Sequence, residues 1–372
     1  MKKACSLIKQ KLKQAPLAVR LFLSFGAFAL FAHILCLFSK KAADFLGATL
    51  GSAVRTLFAY LSGWLPFSLA EMLLVGLPLW IILAVFLLRR YLKKGGSAKR
   101  ALALFLSLLP LLYALFVFML GFGYLSTPLA ERLELENKEK IEARELYSTA
   151  LWLIEEAKEE LSAVTFSESG SSMMPLTHRE MNKALKNAFY LLEKDLSFLS
   201  AYPVGTKAVL LSTPMAYTGI TGVYSFFTGE SNICTAYPDY STVYTAAHEI
   251  SHAVGIARED EANFIAFLAL EKSDHPYLRY AAYVNLLQYT MNALYSTDKA
   301  LHTEAARALP EEIRGEYRAY NRFLDTVGDH PVRDVAEGIN NAYLESVGTE
   351  GTVSYTLVVR LGVAYARTKT AE

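Results

Sequence analysis

Three long apolar runs in the first third of the chain constrain its fold more than any other feature. They extend over about residues 21–38, 69–88 and 101–125. Each approaches the roughly 20 apolar residues that a helix needs to cross a bilayer. Hydrophobic residues make up 53% of the 372 residues, and nearly all of the excess lies in this part. The sequence therefore predicts a membrane protein with an α-helical transmembrane region at residues 1–126, followed by a domain outside the bilayer at residues 127–372.

Basic residues predict the orientation of these spans. Six lie between the second and third runs, within residues 89–100, and six more precede the first run, from Lys2 to Arg20. The positive-inside rule places both basic segments in the cytoplasm. Three spans that start inside would deliver the C-terminal domain to the extracytoplasmic side of the cell membrane. Residues 39–68 mix apolar, small and charged side chains, and we expect an interfacial segment that lies along the membrane surface.

A metal-binding pattern lies in the second domain, at His248, Glu249 and His252. Residues four apart share one face of a helix, so the two imidazoles can bind one Zn²⁺ ion while Glu249 leans toward the same side. A catalytic zinc takes three protein ligands, and Gly255 can end the helix and turn the chain back. The candidates for the third ligand are Glu259, Asp260 and Glu261.

The block Glu259-x-x-Ala262-Asn263 resembles the Glu-x-x-Ala-Asp/Asn signature of Glu-type zincins, which include the membrane CAAX-prenyl and heat-shock metalloproteases and the ImmA/IrrE-like peptidases. The first Glu is the zinc ligand in those families. The resemblance therefore implies Glu259 as the third ligand, Ala262 packed beneath the metal helix, and Asn263 as a support for a ligand.

The interval between His252 and Glu259 differs from the prenyl-protease pattern, because it is only seven residues long. It is closer to the tight turn of the metzincins, whose third histidine position is Arg258 here. Glu261 therefore remains the alternative third ligand.

The layout of the whole chain is similar to an uncharacterised family of bacterial membrane proteins with three N-terminal spans and an extracytoplasmic zincin-like domain. The segment Phe227–Glu230 and the run from His248 to Phe264 carry this resemblance. It implies an α+β zincin-like metalloprotease domain, mostly helical with a small β-sheet, and it implies no particular activity.

Helical and strand patterns agree with such a domain. Charged and apolar spacing predicts one amphipathic helix from Glu131 to about Val164, and Thr177 with Glu180 has the spacing of a capping box. Short strands are expected between Tyr217 and Ala236, with Thr228–Ser231 as the turn of a hairpin or the rim of a sheet, before a motif helix capped by Asp239 or Ser241. Further helices are expected at about residues 260–272, 276–295, 310–326, 331–347 and 353–367.

These residue types predict a membrane-anchored zinc metallopeptidase in which Glu249 is the general base. A strand upstream of the motif helix would pair with an extended peptide, so a peptide or protein is the expected substrate. The alternative is an inactive zinc-binding sensor or scaffold. The net charge of +1 gives no basic field, which excludes nucleic-acid binding. The candidates for an oxyanion-stabilising group are Tyr320, His330, Tyr343 and Tyr355.

Overall fold

The computed structural model describes residues 15–138, 140–199, 202, 205–328, 330–349, 351 and 357–370. Five of the basic residues that predict the orientation, together with Tyr355, lie outside the described residues.

Most of the described chain is helical. The helices are α1 (Leu17–Leu37), α2 (Lys40–Leu46, a π-helical turn Gly47–Gly51, then Ser52–Gly63), α3 (Leu69–Val75), α4 (Leu77–Lys93), α5 (Ala98–Phe116, a π-helical turn Val117–Gly121, then Phe122–Leu125), α6 (Leu129–Arg132), α7 (Ala143–Glu160), α8 (His178–Asp195), α9 (Ser212–Ala216), α10 (Asp239–Ala253), α11 (Glu259–Glu271), α12 (Pro276–Thr297), α13 (Lys299–Ala308), α14 (Glu311–Val327), α15 (Pro331–Ser346) and α16 (Val358–Thr370). The strands are β1 (Thr165–Phe166), β2 (Ser172–Met173), β3 (Thr206–Ala208), β4 (Gly222–Ser225) and β5 (Glu230–Ile233).

Two described helices, α1 and α5, are long and apolar enough to cross a membrane. They pack along each other through small side chains. A Cβ atom on Gly26 of α1 would lie only 2.5 Å from the Cβ of Pro110 in α5. Nδ1 of His33 lies 2.6 Å from the hydroxyl of Tyr113, which adds one polar contact between the two helices.

The stretch predicted as the second span is bent. Helices α3 and α4 meet at 70° around Gly76 and would form a third span only if they are taken together as one broken helix. Gly76 and Pro78 lie at the break, and Pro78 in the first turn of α4 has no N–H to continue the helix. The carboxylate of Glu71 accepts hydrogen bonds from the backbone N–H groups of Leu210 and Leu211 in the following domain. Helix α3 is thereby held against that domain, whereas every residue of α4 is exposed.

The predicted interfacial segment, residues 39–68, contains α2, which packs against α5 and the C-terminal domain. Arg55 of α2 is only 7% exposed. Its guanidinium donates to the carbonyl of Gly47 at 3.0 Å and, more weakly, to those of Phe118 and Met119 at 3.5 Å. These three carbonyls belong to the two π-helical turns, so Arg55 joins α2 to α5.

The main hydrophobic core lies in the C-terminal domain, where α7, α8, α10, α11, α12 and α16 pack together. The single helix expected from Glu131 to about Val164 is instead the short α6 followed by α7. A capping box between Glu142 and Glu145 starts α7 afresh. The capping box predicted at Thr177 is present and starts α8. The helices expected after Glu259 are present with ends shifted by a few residues, and α13 is an additional helix. The expected start of the last helix, at 353, lies outside the described residues.

A three-stranded sheet covers one side of the motif helix, with strand order β3–β5–β4. Strands β4 and β5 form the predicted antiparallel hairpin, in which Gly222 pairs with Ile233 and Tyr224 with Ser231, and β3 runs parallel to β5. The hydroxyl of Ser231 donates to the carbonyl of Glu249 at 2.9 Å, which fixes the sheet on α10. Strands β1 and β2 form a separate two-stranded pair.

Candidate metal centre

The motif helix α10 is buried from Tyr240 to its end at Ala253. It begins at Asp239, whose carboxylate accepts a hydrogen bond from the N–H of Met174 and does not cap the helix. His248 and His252 share one face, as their spacing predicts, and their Nε2 atoms are 3.1 Å apart.

A tight turn brings the third residue to these imidazoles. Gly255 has a φ of +105°, a left-handed conformation that favours glycine. The N–H of Gly255 bonds to the carbonyl of His252, and the N–H of Ile256 bonds to that of Ser251, which ends the helix. Glu259 is the first residue of α11, and its Oε2 atom lies 3.2 Å from Nε2 of His248 and 3.4 Å from Nε2 of His252.

The three converging atoms have the spacing of a tetrahedral zinc site. Ligand bonds of about 2.0–2.1 Å at tetrahedral angles place ligand atoms about 3.3 Å apart. The separations here are 3.1, 3.2 and 3.4 Å. Among the described residues, His248, His252 and Glu259 are the one group whose side chains could hold a metal ion in this way.

The turn also orients one of the imidazoles. Nδ1 of His252 lies 2.8 Å from the carbonyl oxygen of Ile256, so a proton on Nδ1 is donated to the turn and Nε2 is left toward the cluster. Metal-binding histidines are commonly fixed by such a backbone carbonyl.

The charges in the cluster favour a cation among these groups. Burial alone would raise the pKa of Glu259, but the two imidazoles outweigh it and hold that pKa well below its usual range. Burial likewise opposes protonation of His252, yet the nearby carboxylates of Glu259 and Glu249 raise its pKa to about 9. The buried carboxylates of Glu259 and Glu249 thus favour positive charge among these groups.

Glu249 is buried beside the cluster, under strand β4. Burial raises the pKa of Glu249 to about 7, against the opposite effect of the neighbouring imidazoles. A Cβ atom on Gly222 would lie 2.5 Å from Oε1 of Glu249, so only glycine allows the strand to approach this closely. A carboxyl group with this pKa can accept and release a proton near neutral pH.

The outer edge of β4 faces Glu249. The carbonyl of Thr221 accepts from the N–H of Cys234 in the direction of β5. Because backbone groups alternate along an antiparallel pair, those of Gly222 and Tyr224 point away from β5. The backbone N–H of Tyr224 faces the Glu249 carboxylate and favours its charged form.

Glu261, the alternative third ligand, faces away from the imidazoles. Its Oε1 atom accepts from the N–H of Leu129 at 2.7 Å and from the guanidinium of Arg258 at 2.9 Å. Ala262 is fully buried in the core, as the resemblance implies. Asn263 is buried one turn after Glu259, and its backbone carbonyl accepts from the hydroxyl of Tyr244 on the motif helix.

Three of the four candidates for the oxyanion-stabilising group lie within the described residues, and they have different surroundings. Tyr343 of α15 is close enough to Glu259 for that carboxylate to contribute to a raised pKa, after the larger effect of burial. Tyr320 packs on the rings of Tyr237 and Tyr240, and His330 caps α15. Tyr343 is therefore the one of these three that lies near Glu259, with its hydroxyl 3.1 Å from that of Tyr124.

Several neighbours of the site were not predicted. Gly222 and Tyr224 cover Glu249. Tyr289 lies near Glu259, and Arg55 packs on the Gly255 turn. Each comes from an element distant in sequence, and a lone tyrosine, glycine or arginine carries no periodic signal. Glu230, in a segment that the sequence did single out, accepts from the N–H groups of Leu69 and Ala70 and so holds α3.

Comparison with known proteins gives one match. The sequence model of a family described as "Protein of unknown function (DUF3810)" matches residues 49–363, which include the last part of the membrane region and nearly all of the C-terminal domain. No curated protein and no solved structure matches the chain significantly.

Proposed function

Because the chain belongs to the DUF3810 family, whose description states no activity, we propose its function from the site itself: a membrane-anchored, zinc-dependent metallopeptidase with a zincin-like domain. The single observation that carries this proposal is the convergence of His248, His252 and Glu259 within ligand distance beside the buried Glu249.

The donor set favours zinc. Two imidazole nitrogens and one carboxylate oxygen are the ligands of many catalytic zinc sites, which keep one position open. Both histidine side chains remain about one-tenth exposed, so the cluster can be reached by small groups. When bound, the ion would supply a Lewis acid that acidifies water and polarises a peptide carbonyl.

Glu249 would perform the proton transfers. Its buried carboxylate lies beside the three proposed ligands, where a general base must stand to reach a water at the metal. It would accept the proton of the attacking water and deliver it to the departing amine, so that one water is added across the C–N bond. Tyr343, which lies near Glu259 and has its hydroxyl 3.1 Å from that of Tyr124, is the described candidate that would donate to the oxygen that becomes negative.

The position of β4 at the edge of its sheet supports a peptide as the substrate. An extended peptide can pair with backbone groups at such an edge and come to lie across the site. The outer edge carries the backbone groups of Gly222 and Tyr224, and of these the N–H of Tyr224 already faces the Glu249 carboxylate.

The membrane anchor would be formed by α1, α5 and the bent pair α3–α4. The exposed apolar surface of α4 fits a helix surrounded by lipid. The basic residues at 89–100 favour a cytoplasmic connection between α4 and α5, and therefore an extracytoplasmic site.

The test uses the full chain, purified in detergent, as wild type and as Glu249→Gln. Zinc content is measured by mass spectrometry, and hydrolysis with a pool of fluorogenic peptides. We expect both proteins to bind zinc, and the variant to lose activity by about 10²- to 10⁴-fold, the usual contribution of a general base.

The matched control is Glu155→Gln, which changes an exposed carboxylate of α7 and should leave zinc and activity unchanged. A wild-type protein that binds no zinc would contradict the proposed metal site. Zinc in both proteins without cleavage by either would favour the sensor or scaffold.

A further inference from the structure

The substrate-binding edge leads directly to the membrane helices. Tyr224 of β4 packs with Met119 of α5 in one buried cluster. Just beyond the strand, the ring of Phe226 lies edge-on to the ring of Phe116, with their centres 5.8 Å apart. An extended chain paired with β4 therefore has one end over the cluster and the other end at Phe116.

Phe116 is the last residue of the first part of α5, a helix that is long and apolar enough to cross a membrane. The next five residues, Val117–Gly121, are all buried, Val117 and Phe118 against α1 and Met119 and Leu120 against the C-terminal domain. The apolar stretch between the basic Arg100 and this buried turn extends over residues 101–116. At 1.5 Å per residue this stretch is about 24 Å long, which is most of the roughly 30 Å of the hydrocarbon layer.

The distance from the site to Phe116 of α5 follows from the strand. Gly222 lies over Glu249, and Phe226 is four residues further along. At about 3.3 Å per residue, the reacting bond lies about 13 Å from the level of Phe116.

Exposed apolar side chains line this short path. Val223 on β4 is 46% exposed and Phe227 after it is 40% exposed. Across the cluster, Val335 and Ile339 of α15 are exposed and lie at i, i+4 spacing with Tyr343, which packs against Phe116. A path lined by these apolar side chains suits an apolar chain or lipid more than a soluble, folded protein.

On the basis of the proposed function, we propose that the substrates are juxtamembrane segments: stretches of membrane-anchored proteins that leave the bilayer in extended form, pair with β4 and are cut close to the membrane. Hydrolysis consumes one water and leaves a carboxylate on one fragment and an amine on the other.

The test measures where cleavage occurs relative to the membrane. Zinc-loaded full-length protein is reconstituted in vesicles of phosphatidylethanolamine and phosphatidylglycerol. The probe is a pool of 12-residue segments of randomised sequence in three forms: joined directly to a single transmembrane helix, joined to the same helix through 30 residues of Gly and Ser, or free in solution. Products are identified by mass spectrometry, and Glu249→Gln is run in parallel.

We expect the directly joined segments to be cut at least about tenfold faster than the distant ones, although both are tethered and share a high effective concentration. The cuts should cluster about four to eight residues from the end of the helix, given the strand rise of about 3.3 Å.

Two results would overturn this inference and separate it from the proposed function. Cleavage that follows the peptide sequence wherever it is placed, or equally fast cleavage of free peptides, would leave a zinc peptidase with no preference for the membrane. An absence of cleavage in all three forms, with zinc bound, would remove the peptidase itself and the substrate class with it.

Discussion

Glu259 and Glu261 stand two residues apart in the first turn of α11, and their surroundings give them different tasks. Glu259 meets the two imidazoles, whereas Glu261 meets Arg258 and the N–H of Leu129. Arg258 in turn donates to the carbonyls of Tyr124 and Ser126, at the end of α5. One carboxylate thus belongs to the cluster, and the other joins the start of the C-terminal domain to α11.

This difference predicts opposite results for two matched variants of the full chain. Glu259→Gln should weaken zinc binding by more than about 100-fold, because even residues that only support a ligand contribute about 10- to 100-fold. Glu261→Gln should leave zinc affinity nearly unchanged and lower stability by about 2 kcal/mol, since it weakens a buried charged hydrogen bond. Competition with a chromophoric chelator and thermal melting measure the two effects. Weaker zinc binding in Glu261→Gln than in Glu259→Gln would reverse the assignment.

Sequence could identify His248, Glu249 and His252, because their spacing on one helix turn places them together whatever the rest of the fold. It could not decide between Glu259 and Glu261. That choice depends on the φ of Gly255 and on the partners that α5 and α6 bring to Glu261. The contacts of Tyr224 and Gly222 with Glu249 could not be predicted either, because these residues reach Glu249 only through the pairing of β4 with β5.

Among the elements, β2, α12 and α14 meet at a buried carboxylate, Glu316. Its Oε1 atom accepts from the N–H of Ser172 at 3.0 Å and from the hydroxyl of Tyr280 at 3.3 Å. Its Oε2 atom is buried without a hydrogen-bond partner among the described residues. Burial raises the pKa of Glu316 to about 7. The folded protein therefore binds this proton more tightly than the unfolded chain does.

Glu316 makes the folded protein less stable as the pH rises. Between the ordinary pKa of 4.5 and the folded value of about 7, the folded state holds more protons, so Glu316 lowers stability progressively as the pH rises through this window. At about 1.4 kcal/mol per pKa unit, the full loss is about 3 kcal/mol above pH 7. Glu316→Gln should therefore raise the melting temperature at pH 8 relative to wild type and change it little at pH 5.

Thermal melting of the full chain at both pH values measures this, with Glu312→Gln on the exposed side of α14 as the control. An equal change at pH 5 and pH 8 would show that Glu316 is not protonated in the folded protein.

The elements themselves were predicted well where a local signal exists and poorly where distant contacts decide. Thr177 with Glu180 fixed the start of α8, and the turn near Gly229 fixed the β4–β5 hairpin. The attachment of α3 to the C-terminal domain was not predicted, because Glu71 looks like one tolerated charge in an apolar run until Leu210 and Leu211 supply its hydrogen bonds.

On the scale of the whole molecule, Arg55 joins α5, a helix apolar enough to cross a membrane, to the turn beside His252. Its guanidinium bonds to the carbonyls of both π-helical turns, and a Cβ atom on Gly255 would lie 2.6 Å from its Nη2 atom. Gly123 of α5 is equally close, since a Cβ there would lie 2.7 Å from the carbonyl oxygen of Gly255. The Gly255 turn carries the Ile256 carbonyl that orients His252, so α2 and α5 help to position His252.

Replacing Arg55 by methionine in the full chain should therefore change the metal site and not only the stability. Methionine keeps the apolar packing of the side chain but leaves the Gly47, Phe118 and Met119 carbonyls without these donors, and the Gly255 turn loses its support. We expect zinc affinity to fall about 10- to 100-fold, the range typical of residues that orient a ligand, together with a lower melting temperature.

Arg144→Met, on the exposed surface of α7, should change neither. Zinc affinity is compared below the melting temperature of each protein, so that unfolding does not contribute. A destabilised Arg55→Met protein with wild-type zinc affinity would mean that Arg55 holds the helices together without acting on His252. Weaker binding at unchanged fold would instead show that this metal centre is built jointly by the membrane region and the domain that follows it.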